Sequence, residues 1–240
     1  MRDFIVIDYL EMRVLLMGHS ELIFGSMYAG KTEELIRRLK RYQLSGKQYQ
    51  LFKPKVDNRY GNDIVTTHNY VEEKDKILKI IQLHIGNIFN RDKLINDLYK
   101  SLGNAIIAEV VSKSMDILSL VKEDTNVVGI DEVQFFDEDI INVIDELKKQ
   151  NKIVIITGLD MYASNKPFGN IVPYLACTSK YVTKLHAVCM DCGRDAYISY
   201  KLTNTPADKI DIGSYGKYIA LCEQCAEKRE RQCGQQLSEV

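Results

Sequence analysis

An α/β fold with a mainly parallel central sheet, followed by a small cysteine-rich domain, is the class this sequence predicts. Three observations carry that expectation. The segment Gly25–Thr32 (GSMYAGKT) fits the phosphate-loop pattern G-x-x-x-x-G-K-[ST] without a mismatch. Apolar runs alternate with segments of helical period between residues 22 and 159. Past about Lys184, two Cys-x-x-Cys pairs with Gly and Tyr between them replace the long apolar runs.

Leu22–Phe24 enters the loop as a strand, and Glu33–Gln43 leaves it as a helix. In that helix Leu35, Leu39 and Tyr42 share one face, while Arg37, Arg38, Lys40 and Arg41 are expected mostly outward. Gln50–Lys53 predicts a second strand and Ile64–Thr67 a third. From Asn69 to Thr125 the chain is rich in Lys, Asn and Ile, with helices expected near Arg91–Leu102 and Lys113–Lys122. Asn126–Glu132 (NVVGIDE) predicts a buried strand, Ile140–Lys149 an amphipathic helix, and Lys152–Leu159 (KIVIITGL) another strand. Strands so continuously apolar need cover on both faces, as in a parallel sheet between helical layers. The expected organisation is an extension over 1–18, a nucleotide-binding domain over 19–184, a metal-binding domain over 185–228 and a polar, frayed tail over 229–240. Met12 or Met17 could then serve as initiator.

Composition excludes some partners. With 45% hydrophobic and 27% charged residues the chain reads as an ordinary globular protein. Its 32 basic and 33 acidic residues leave a net charge of −1, which gives no electrostatic basis for tight binding to a nucleic-acid polymer. The apolar start is broken by Asp3, Asp8, Glu11 and Arg13, so neither a signal peptide nor a membrane span is expected, and the location expected is cytoplasmic. In that setting paired Cys-x-x-Cys motifs favour metal over disulfides.

In the loop of Gly25, Ser26, Met27, Tyr28, Ala29, Gly30, Lys31 and Thr32, backbone N–H groups would point at a polyphosphate. Lys31 would reach its terminal phosphates and Thr32 would offer a hydroxyl to Mg²⁺. Asp131 and Glu132 end the most apolar strand, expected beside the loop. Asp131 would face the metal and Glu132 would take a proton from a nucleophile; a helix N-cap acid pair is the alternative. Cys189, Cys192, Cys222 and Cys225 offer four thiolates, a closed set that fits structural Zn²⁺. Cys177 and Cys233 are read as free, Cys177 as buried. The Gly/Tyr segment between the knuckles, with Gly213, Gly216, Tyr215 and Tyr218, is either a flap over a flat ligand or a surface loop. Asp57 and Arg59 follow the second strand, either level with the phosphate loop or as a surface pair.

The series GSMYAGKT, KPKVDNRY, GIDEVQFF, GLDM with KPFG, VTKLHAVCMDCG and IGSYGKYIALCEQC resembles the cytosolic-type (type II) thymidine kinases, from about Glu21 to Cys225. The resemblance implies a RecA-like P-loop domain with a zinc-ribbon-like domain carrying a lasso loop, usually in a homotetramer. It implies transfer of the γ-phosphate of ATP to the 5′-hydroxyl of thymidine or deoxyuridine, with dTTP as feedback inhibitor. By the same resemblance Glu132 is the base, Lys31, Thr32 and Asp131 hold phosphate and Mg²⁺, and Gln134 belongs to the ATP-binding motif. Arg59 would stand near the transferred phosphate with Asp57 beside it. Met27, Phe135, Leu159, Phe168 and Tyr218 would wall the nucleoside pocket, and backbone around Ile212 and Gly213 would meet the thymine edge. Tyr162 would replace an aromatic ring that Ala163 lacks. Ser26 stands where the family usually has Pro, and Glu223 where a basic residue is common.

Two other functions fit the motifs without the resemblance. One is a RecA-like ATPase with a zinc ribbon, which would hydrolyse ATP with no nucleoside present. The other is a zinc-ribbon module for nucleic acid, which the near-zero charge disfavours.

Overall fold

A computed structural model describes residues 18–57, 64–66, 105–202 and 216–238. The chain enters with strand β1 (His19–Gly25), the phosphate loop and helix α1 (Lys31–Leu44), then strand β2 (Tyr49–Pro54). Strands β3 (Ile64–Thr66) and β4 (Ala105–Ile107) pair with each other, antiparallel, outside the main sheet. Then come β5 (Glu109–Val111), the short helix α2 (Asp116–Leu120), β6 (Val127–Ile130) and a 3₁₀ turn at Val133–Phe135. Helix α3 (Ile140–Lys149), β7 (Ile153–Leu159), α4 (Ile171–Thr178) and β8 (Tyr181–Leu185) complete this part.

The main sheet has six strands in the order β5-β2-β6-β7-β1-β8, and every pairing in it is parallel. Alternate residues of its strands feed two cores, as a period of two requires. Ile23, Leu51, Val127 and Ile155 pack with Leu35, Ile36 and Leu39 of α1. Their neighbours Leu22, Phe52, Val128, Val154 and Ile156 pack with α3 and α4 on the opposite face. Gly129 lets α1 approach closely, because a Cβ there would lie 2.7 Å from Leu51 Cδ1 and 3.1 Å from Leu39 Cδ1. All strands being parallel, Gly25, Ile130 and Leu159 end at one edge, where a crevice between carboxyl ends forms.

Several expectations change. β6 is not the neighbour of β1, since β7 pairs with both and stands between them. The helix expected over Lys113–Lys122 shrinks to α2, because the chain turns extended at Val121. The helix expected at Arg91–Leu102 lies outside the described residues. The edge strands β5 and β8 and helix α4 went unread, being short and weakly periodic. Cys177 is exposed rather than buried, since α4 turns Ile171, Val172 and Leu175 inward instead.

The cysteine-rich part consists of two small antiparallel pairs. Strand β9 (Ala187–Val188) pairs with β10 (Asp195–Ala196), and β11 (Ile198–Lys201) with β12 (Tyr218–Leu221). Ala187, Cys189, Ala196, Ile198, Leu221, Cys222 and Ala226 make its core, and Tyr28 and Ala29 of the phosphate loop pack against that core. Helix α5 (Glu223–Ser238) carries the segment read as a polar tail.

Candidate active site

The phosphate loop turns sharply out of β1. Gly25 has φ 152°, and a Cβ there would sit 2.2 Å from the Leu185 carbonyl oxygen of β8. Tyr28 and Gly30 take positive φ, 64° and 78°, and Gly30 caps α1. Glu33 and Glu34 occupy the first turn of α1, where acidic side chains favour the positive end of the helix dipole. Lys31 is buried, and its Nζ donates to the Ser26 carbonyl at 2.7 Å. The lysine thus lies folded against the loop it would serve.

The cysteine-rich part grips this loop. Ser26 Oγ donates to the Ala196 carbonyl at 3.4 Å, the Met27 N–H to Ser199 Oγ at 3.0 Å, and the Tyr28 hydroxyl to the Tyr218 carbonyl at 3.2 Å. The Met27 amide therefore faces a side-chain acceptor rather than a free nest.

Asp131 and Glu132 follow β6 directly and are 4% and 7% exposed. The Asp131 N–H extends the ladder to the Phe52 carbonyl at 2.9 Å. Glu132 takes a left-handed backbone, φ 53° and ψ 49°, uncommon for a residue with a side chain. That turn sends its N–H to Thr157 Oγ1 at 3.1 Å, while the Thr157 hydroxyl donates to Asp131 Oδ1. Glu132 makes no side-chain capping bond to the 3₁₀ turn it precedes. Gln134, 8% exposed, donates from Nε2 to Glu132 Oε2 at 2.5 Å and accepts the Leu159 N–H at 3.0 Å. A carboxyl pair, a hydroxyl and an amide from two adjacent strands thus meet at the crevice.

Of the residues expected to wall a nucleoside pocket, three come together. Phe135 meets Phe168 edge-on, centroids 6.0 Å apart, and Tyr162 stacks on Phe168 at 4.1 Å. The Tyr162–Lys166 and Phe168–Asp160 backbone bonds close this loop. Met27 and Tyr218 are buried on the side of the cysteine-rich part, and Asp57 is buried just past β2. Arg59, Ile212 and Gly213 lie outside the described residues.

Sequence reasoning missed Thr157, Ser199 and Asp160. Thr157 is the polar residue of an otherwise apolar strand, which was a usable signal. Asp160 is buried at the end of β7, and neither carboxylate oxygen has a hydrogen bond among the described residues. Lys184 Nζ stands 3.3 Å from it, over the Phe24 ring.

Cys189, Cys192, Cys222 and Cys225 gather their sulfurs within 4.8 Å of one another. Tetrahedral zinc with Zn–S bonds of about 2.3 Å sets sulfurs about 3.8 Å apart. The Cys192–Cys222 separation of 3.6 Å fits. Arg194, donating to Cys192 Sγ at 3.3 Å, lowers that thiol to about 6, whereas the Cys222 sulfur, then burial, push Cys225 up to about 12. Four cysteine sulfurs so crowded suit a cation that would hold them as thiolates, and this set could hold a metal such as zinc.

A family model described as Thymidine kinase matches residues 18–94 and 79–226. The two stretches overlap within the segment that carried no readable motif, and together they cover every residue of the crevice and the four cysteines. The chain belongs to the thymidine kinase family.

Proposed function

We propose that this protein is a type II thymidine kinase that moves the γ-phosphoryl group of ATP to the 5′-hydroxyl of thymidine or deoxyuridine, a nucleotide-salvage reaction. The observation that carries the reading is the buried Asp131–Glu132 pair, with Glu132 held in a left-handed turn, at the crevice that also holds the phosphate loop. An ATPase needs the loop, a metal-binding acid and a group that positions its attacking water. A second, separately held carboxylate suits a base for an acceptor hydroxyl.

In the proposed reaction Glu132 takes the proton of the 5′-hydroxyl as that oxygen bonds to the γ-phosphorus. The bond from phosphorus to the β–γ bridging oxygen breaks, and ADP leaves with the electron pair. Lys31 and the loop amides hold the phosphates, with Arg59 near the transferred group and Asp57 beside it. Thr32 and Asp131 would hold Mg²⁺, which supplies charge neutralisation when bound with ATP. Phe135, Leu159, Tyr162 and Phe168 wall the acceptor on one side, and Met27 and Tyr218 on the other; backbone around Ile212 and Gly213 would meet the thymine edge, as in the family. The four cysteines would hold a structural Zn²⁺. A homotetramer, inhibition by dTTP and a cytoplasmic location belong to the same proposal, supported by the family. Among the described residues no helix is long and apolar enough to cross a membrane.

The test is phosphate transfer from labelled ATP across a panel of nucleosides. Thymidine and deoxyuridine should be phosphorylated and purine nucleosides should not. Glu132→Gln should cut kcat by about 10²-fold or more with little change in ATP binding. ATP hydrolysis at the same rate with and without nucleoside would overturn the assignment and leave a plain ATPase.

A further inference from the structure

The side chain of Asp160 is buried, yet neither of its oxygens has a hydrogen bond among the described residues. It is met instead by charge, from Lys184 Nζ at 3.3 Å. Strand register explains the meeting. Gly158, Phe24 and Lys184 stand side by side on β7, β1 and β8, and Asp160 follows two residues after Gly158 on the same face. The ion pair therefore crosses β1 diagonally. Its ammonium lies over the Phe24 ring, 5.7 Å from the centroid, and over the Tyr197 ring of the cysteine-rich part at 6.0 Å. Tyr197 is anchored in turn, since its hydroxyl donates to Glu223 in the last knuckle at 3.1 Å.

Asp160 is also the base of the loop that bears Tyr162 and Phe168. Its carbonyl accepts the Phe168 N–H at 2.9 Å, Met161 and Pro167 form an antiparallel bridge, and the Tyr162 N–H donates to the Lys166 carbonyl at 2.9 Å. Asn165 turns the chain with φ 61°. A loop closed on itself in this way needs ties to the rest of the molecule to fix its direction. One is the edge-on contact of Phe168 with Phe135. The Asp160 side chain supplies the other, a charged tie at the base.

We propose that Asp160 and Lys184 are positioning residues for the acceptor nucleoside: their ion pair, latched across β1, fixes the direction of the loop that carries Tyr162 and Phe168. The proposal rests on the acceptor-pocket reading given above. It adds that Lys184, an exposed residue of an edge strand, acts on the pocket wall through Asp160. Its contact with Tyr197 joins that wall to the cysteine-rich part.

Exposed ion pairs contribute little, but this one is one-sided. Lys184 can turn to solvent, whereas the Asp160 carboxylate reaches water only if the loop base moves. Removing the ammonium leaves a buried charge without its partner, and lifting the loop base is the readiest relief. Asp160→Asn keeps the size and removes the charge. Lys184→Met keeps most of the length and removes the ammonium. The double variant leaves neither charge unpaired, so it stays readable where a single change impairs folding. If the two residues act only through each other, the double variant is no worse than either single one.

Two readouts on the full-length protein test the latch. Hydrogen exchange of the substrate-free protein, followed by mass spectrometry, should be about tenfold faster over residues 160–168 in each variant and unchanged over α1. In kinetics KM for thymidine should rise about tenfold in each single variant and no further in the double one, with kcat and KM for ATP within about twofold. Lys184→Arg, which keeps the charge, should stay near the parent in both readouts. Exchange unmoved in all three variants would overturn the proposal. So would, in an active enzyme, an unmoved KM for thymidine, rises that multiply in the double variant, or an equal rise in KM for ATP. If the parent transfers nothing to thymidine while exchange still quickens, the proposed function falls and the latch stands.

Discussion

Gly25 shows how one backbone position sets the site. Its φ of 152° and the Leu185 carbonyl 2.2 Å from a virtual Cβ leave no room for a side chain. Both the conformation and the close approach arise where the chain must leave β1 and curl into the phosphate loop. Gly25→Ala should cost about 3 kcal/mol or more in urea unfolding, since the obstacle is backbone rather than a movable side chain. A loss under 1 kcal/mol would show that the loop can relax away from β8. Glu132 presents the opposite case. A residue that dislikes positive φ is kept there by the Thr157 hydroxyl, and its buried carboxylate is met by Gln134. Strain of this kind persists only where neighbours over-determine it.

Helix α1 carries the loop, and its attachment is more polar than its buried Leu35, Ile36 and Leu39 suggest. Arg38 was expected outward but is only 14% exposed in its side chain. It bridges Glu34 at 2.8 Å, Glu21 on β1 at 2.7 Å and Thr183 on β8 at 2.8 Å. Arg37 donates twice more to Glu34, at 2.6 and 2.7 Å, and Tyr42 reaches Glu21 at 2.8 Å. Hydrogen bonds from Arg37, and then Arg38 against the opposing effect of burial, hold Glu34 down at about 2. A carboxyl lowered on folding stabilises the protein above its unfolded value near 4.5, and that contribution is lost as pH falls toward 2. Replacing Glu34 by Gln should therefore cost about 1 kcal/mol at pH 7. The gap between parent and variant should narrow below pH 4.5 and close near pH 2, as urea unfolding at a series of pH values would record. A gap independent of pH would assign the effect to packing.

The phosphate loop and the cysteine cluster form one mechanical unit. Ala196, Ser199 and Tyr218 hold Ser26, Met27 and Tyr28, so the knuckle that could bind metal also supports the loop that would bind nucleotide. The core behind those contacts is made largely of Ala and Cys, which is little apolar surface to stand without a metal. Stripping the metal with a chelator should lower the thermal midpoint and weaken nucleotide binding by about tenfold, both restored by zinc. Scanning fluorimetry and titration with a fluorescent nucleotide would follow the two. Nucleotide affinity unchanged in metal-free protein would mean that the loop keeps its shape unaided.

Contiguous stretches of chain announced most of the chemistry. GSMYAGKT, DEVQFF and the two Cys-x-x-Cys pairs are local patterns of residue type, readable without knowing the distant partners Leu185, Thr157 and Ser199 that fix their backbone. The helices α1 and α3 and the strands β6 and β7 were legible for a similar reason, because burial on one or both faces writes a period into the sequence. The family match over residues 18–226 falls where the motif order pointed. The order of strands was not legible, and neither was the placement of β7 between β1 and β6, because periodicity carries no register. The partners that shape the site were hidden as well. Thr157 meets Asp131 across 26 positions and Ser199 meets Met27 across 172. Such pairings are made by sheet topology and domain docking. No local pattern encodes which hydroxyl will stand opposite a given amide until the core has placed both strands.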